Sequence, residues 1–122
     1  MIDRLLQGVG VSPGVAVARA IIVRWSFPTL PNRTITPTEQ DTEIARLHSA
    51  VAATVAQLVS LRERTLLRAG PEAAGIFDAQ IMMVNDTEFL DGVESLIRKG
   101  NLSAETAYEF RALELRNAWQ AS

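Results

Sequence analysis

The chain has 122 residues, 48% of them apolar and 21% charged, with a formal charge of −2. That is enough for one domain with a modest core, or for a piece of a larger protein, and the composition excludes a disordered chain. There is no surplus of Lys and Arg for a nucleic-acid surface, cysteine is absent, and no stretch approaches the roughly 20 apolar residues of a membrane span. Disulfides, thiolate chemistry and Cys-rich zinc sites are therefore excluded, nucleic acid and membrane are not expected partners, and a basic protein surface suits the charge better.

Near the amino terminus Asp3 and Arg4 precede no signal-like apolar run, so a cytoplasmic chain is expected. GVGVSPGVAVARAIIVRW, residues 8 to 25, opens on Gly8, Gly10, Pro13 and Gly14 and continues apolar and β-branched, which predicts a strand covered on both faces. No second segment pairs with it, so another chain or a missing part of this one must complete its sheet. SFPTLPNRTIT, residues 26 to 36, reads as an extended linker.

Thr36-Pro37-Thr38-Glu39 fits a capping box, with Thr36 as N-cap, Pro37 in the first turn and Glu39 reaching back. Such a box removes about 1 kcal/mol of helix-end cost. Ile44, Leu47, Val51, Leu58 and Leu61 then keep a heptad-like stripe with Thr54 in the remaining slot, so a helix of roughly 50 Å is predicted to run to Ala69 and stop at Gly70-Pro71. Three shorter helices are predicted over about 72 to 85, 87 to 99 and 104 to 122, with Asp86 and Ser103 as N-caps and Gly100 as a stop. In the last of these, Tyr108, Ala112, Leu115 and Trp119 share a face that is still amphipathic at the end of the chain, which predicts a continuing parent protein.

The expected fold is mainly α: an antiparallel helical bundle of about four helices, one long and three shorter, over residues 36–122. It is preceded over residues 1–35 by a single strand and linker of an incomplete α/β domain.

IFDAQIMMVND invites a helical wheel. Ile76, Phe77, Gln80, Ile81 and Val84 gather within about 140° and are expected to face the bundle, with Met83 at the edge. Asp78, Met82 and Asp86 fall at i, i+4 and i+8 on the opposite side. Met82 either packs against a neighbouring helix, or is an incidental exposed apolar residue, or forms a docking patch. In the last case its burial by a partner contributes roughly 1.5 to 3 kcal/mol, and flanking carboxylates at about 0 to 1 kcal/mol each act on specificity and encounter rate.

Chemistry within the chain is sparse. His48, the only histidine, reads as a helix-surface or partly packed imidazole, the alternative being a phosphoacceptor or general base. No acid or Gly-rich element lies near it in sequence to orient the ring. Phosphate-loop and His-Glu-x-x-His spacings do not occur, and GVGVSPG lacks the third glycine of a dinucleotide loop. Glu94, Glu105, Glu109 and Glu114 are read mostly as solvated helix faces.

Three segments in order resemble the amino-terminal region of enzyme I of the bacterial sugar phosphotransferase system. They are GVGVSPGVAVARA, the long capped helix after a short linker, and GIFDAQIMMVNDTEFLDGVESLIRKGNLSAETA at residues 75 to 107. The resemblance implies that the first strand belongs to an α/β domain carrying a phosphohistidine, and that the helical part docks the small phosphocarrier HPr. It assigns the docking role to Glu72, Asp78, Met82, Met83, Asp86, Glu88 and Phe89. Thr87 stands where many members have Pro, Gln80 where His is common, and Pro71 and Ala73 in a region often charged.

The family's Gly-Gly-x-x-Ser-His segment and its phosphoenolpyruvate and Mg²⁺ site are not in these 122 residues. No catalytic residue, metal or cofactor is therefore expected in this chain, and no activity alone; Mg²⁺ is expected for the full-length enzyme. HPr and the remainder of enzyme I, or a second copy of the chain, are the implied partners, for sugar uptake or regulation. The alternative is a structural helical bundle that self-associates without a role in phosphotransfer.

Overall fold

The computed structural model describes residues 5–24, 26, 29–31 and 33–121, without the side chain of Trp119. The expectations resting on Asp3, Arg4, Trp25, Phe27, Pro28, Asn32, the Trp119 side chain and Ser122 lie outside these residues.

A 3-10 turn, Pro37–Glu39, leads into α1 (Gln40–Val84), followed by α2 (Thr87–Gly100) and α3 (Ala104–Gln120). At the entry Glu39 closes its half of the box, its carboxylate accepting the Thr36 backbone N–H at 2.7 Å. The Thr36 hydroxyl donates to the same oxygen, and both halves of the capping box are present. α1 is interrupted at Gly70, whose φ of 85° and ψ of 178° suit only glycine. Pro71 disfavours a helical residue before it, so the break is written twice in the sequence. The chain doubles back there. Arg62 and Asp78 meet at 2.6 Å, whereas an unbroken helix would hold them about 24 Å apart. α1 thus consists of a first limb, 40–69, and a returning second limb, 71–84.

α2 continues the return. Its N-cap Asp86 accepts the Phe89 N–H at 2.8 Å. Its cations and acids meet the start of α1 in antiparallel register: Arg98 reaches Asp41 at 3.0 Å and Glu94 reaches His48 at 2.8 Å. The far end closes on Asn101 in the left-handed conformation, φ 49°, and Gln40 donates to the Arg98 carbonyl at 2.9 Å and to Asn101 Oδ1 at 2.8 Å. α3 starts at the N-cap Ser103, fully buried, which accepts the Thr106 N–H. It packs on α2 closely enough that a Cβ at Gly92 would lie 2.5 Å from Arg111 Nε.

The core sits at one end of the molecule. Ile35, Ile44, Leu47, Leu90, Val93, Ile97, Ala104 and Ala107 form it, with Val51, Phe89, Leu96 and Leu102 against its edge. Burial fades outward along the first limb. Ile44 and Leu47 are buried, Val51 and Leu58 half-buried, and Leu61 and Leu67 exposed. The face of Tyr108, Ala112 and Leu115 on α3 is likewise largely open, because α3 touches its neighbours chiefly through Ala104 and Ala107 in its first turns.

The expected amino-terminal strand does not form: among the described residues there is no strand, only an isolated antiparallel bridge between Thr34 and Leu102. Residues 5–24 are exposed throughout, Val15 and Val17 almost completely. A strand needs a second strand to take its N–H and C=O groups, and nothing among the described residues supplies one. A second difference concerns membranes. The helical run Pro37–Gly100 contains an 18-residue window long and apolar enough, by length and composition, to cross a bilayer. The first limb owes that to its Ala, Val and Leu content, while at its start Glu43 and Arg46 are ion-paired and His48 meets Glu94 within the protein.

Candidate docking face

Only a narrow stripe of the second limb is covered. Ala74 is buried, and Phe77, Ile81 and Val84 are half-buried at i+3, i+7 and i+10. Ile76 and Gln80, expected to face inward, are exposed, Ile76 by 61%. The covered residues occupy a narrower arc than the inward face of the wheel, and Ile76 and Gln80 fall outside it. Met82 is 75% and Met83 64% exposed. Ile76 and Met83, seven residues apart, share a face, so Ile76 joins the apolar patch that the sequence pattern had left to the methionines.

Among the acids expected around this patch, two already have partners. Asp78 is ion-paired to Arg62, and Asp86 caps α2. Glu72 and Glu88 are exposed and have no ion pair among the described residues. Phe89 is half-buried, its ring edge-on to Tyr108 with centroids 4.9 Å apart, so it belongs partly to the core margin. The seven residues therefore lie on the second limb and around the start of α2, with unequal freedom. The hydrophobic contribution available to a partner sits on Met82, Met83 and Ile76, at roughly 1.5 to 3 kcal/mol for each side chain fully covered.

Away from this face the structure holds a polar cluster that the sequence pattern missed. Glu43, 2% exposed, accepts from Arg33 at 2.6 Å, Arg46 at 2.5 Å and the Ala104 backbone N–H at 2.9 Å, all on Oε1. Burial pushes its carboxyl up, but the α3 N–H and the two guanidiniums outweigh it and hold Glu43 below the usual glutamate range. Arg46 also reaches Glu105 at 2.5 Å and holds that carboxyl low against the opposing effect of burial. This cluster ties the linker, the start of α1 and the start of α3 together. His48 likewise finds Glu94, an acid supplied by α2 rather than by its own neighbourhood in sequence. Glu94, Glu105 and Glu114 are thus ion-paired rather than simply solvated. No group of acids and histidine that could hold a metal occurs among the described residues.

Residues 7–122 match the family described as PEP-utilising enzyme, N-terminal. The chain is 32% identical over 103 residues to a phosphoenolpyruvate-protein phosphotransferase of Haemophilus influenzae, covering 84% of this chain and 18% of that protein. It is 36% identical over 101 residues to the protein of that name from Streptococcus equinus, covering 83% and 17%. With the Geobacillus stearothermophilus protein it shares 29% identity over 119 residues, covering 98% and 20%. The chain therefore spans a fifth or less of the length of these relatives. No solved structure matches it.

Proposed function

The chain belongs to the N-terminal family of PEP-utilising enzymes, and from that premise we propose that it is the partner-docking part of a phosphoenolpyruvate-protein phosphotransferase, enzyme I. In this reading residues 36–122 bind the phosphocarrier HPr, and residues 1–35 begin an α/β domain that the rest of enzyme I completes. The whole protein would work in the cytoplasm with Mg²⁺ and pass a phosphoryl group from phosphoenolpyruvate through a histidine to HPr. The chain itself contributes recognition. The observation that carries the reading is the pair Met82 and Met83, three-quarters and two-thirds open to water on a helix folded firmly onto its neighbour.

A flexible thioether patch adapts to a partner's contour, and Glu72 and Glu88 beside it favour a cationic one. Titrating isotope-labelled chain with HPr should move the signals of residues 76 to 90, and Met82→Asp should abolish the movement with helicity intact. A folded wild type whose spectrum ignores HPr would end the proposal.

A second reading, self-association, is favoured by a different observation: Leu66, Leu67 and the apolar residues of 5–24 are exposed. Mass measured against concentration separates the two. Dimerisation weakened by Leu67→Glu and indifferent to Met82→Asp would support self-association.

A further inference from the structure

Arg62 stands outside every residue the docking reading assigns, yet its Nε lies 2.6 Å from Asp78 Oδ1, the acid one turn before Met82. It comes from the first limb and reaches across the hairpin to the limb that carries the methionines. Both side chains are partly open, 39% for Arg62 and 55% for Asp78, so water reaches the pair and holds it only weakly. A cationic partner approaching the patch therefore meets an Asp78 whose charge is already compensated, but compensated by a group it can displace.

We propose that Arg62 is a specificity-determining residue of the docking face: by occupying Asp78 it sets how strongly the patch attracts a basic partner, leaving Glu72 and Glu88 to supply the uncompensated charge. The inference rests on the docking reading and deepens it. Two of the acids flanking Met82 are engaged at home, Asp78 by Arg62 and Asp86 by the Phe89 N–H, and only the first engagement can be exchanged for a partner's cation without uncapping a helix.

A double-mutant cycle on association with purified HPr tests this, by stopped-flow at low and moderate salt. Arg62→Gln should raise the association rate about threefold at low salt and steepen its salt dependence, whereas Arg62→Lys, which keeps the charge, should stay near the wild-type rate. Asp78→Asn should by itself slow association about threefold, because it bares Arg62, and should return the Arg62→Gln variant to near the wild-type rate. Circular dichroism of each variant checks that the hairpin is kept.

A folded Arg62→Gln variant no faster than wild type, or a double variant that keeps the whole Arg62→Gln gain, would overturn the inference and leave the docking reading standing. Absence of wild-type binding would overturn both.

Discussion

Glu43 concentrates more of the fold's electrostatics than any other residue described. Three donors from three segments converge on one buried oxygen, so removing the charge weakens the acceptor that two guanidiniums and a helix N-terminus share. Both guanidiniums are partly open to water, so Glu43→Gln should cost about 1 to 3 kcal/mol, read as a lower midpoint in urea. Its pH dependence has a definite sign. The folded carboxyl titrates below its ordinary value of 4.5, so between the two values the unfolded chain binds more protons. The stabilisation is complete above 4.5 and is lost as pH falls through the lower, folded value. Glu39 and Glu105 are shifted the same way, the first by the Thr36 N–H and hydroxyl, the second by Arg46. Acid unfolding followed by circular dichroism should therefore be shallower below pH 4.5 in Glu43→Gln than in wild type. None of this was legible along the sequence, since Glu43 lies 10 residues from Arg33 and 61 from Ala104. Periodicity set Met82 opposite the inward stripe but left open its packing against a neighbouring helix, and in the structure it is exposed.

At the scale of elements, boundaries were legible and partners were not. Thr36, Gly70-Pro71, Asp86 and Ser103 mark helix ends through chemistry confined to four or five residues, and each end lies where that chemistry puts it. The strand over residues 8 to 25 shows the limit: β-branched composition specifies a preference, and a preference without a second strand yields no ladder. Ile76 fails for the complementary reason, since a wheel fixes directions but not how many neighbours fill them. Gly70 carries the sharpest prediction here. Any side chain at φ 85° and ψ 178° is strained, so Gly70→Ala should lose about 1 to 3 kcal/mol in urea denaturation. The loss should be accompanied by a longer distance between spin labels placed at positions 58 and 81. An unchanged midpoint and distance would mean that Pro71 alone makes the turn.

At the scale of the molecule the helical part is anchored and the amino-terminal part is appended. Ile35 is the first residue buried in the core, its N–H donating to the Asn101 carbonyl at 3.1 Å. A chain beginning at Leu30 should thus melt within about 2 °C of the full chain, by calorimetry, because none of the described residues upstream is buried. Truncating the centre, as in Ile97→Ala, should cost about 2 to 5 kcal/mol. The uneven wrapping of the first limb has a kinetic outcome. Amides near Ile44 and Leu47 can trade their hydrogens with heavy water only when the core opens, whereas those around Leu66 need only the tip of the hairpin to fray. Exchange should spread from Gly70 toward Gln40 as a travelling front, so one helix would report two lifetimes.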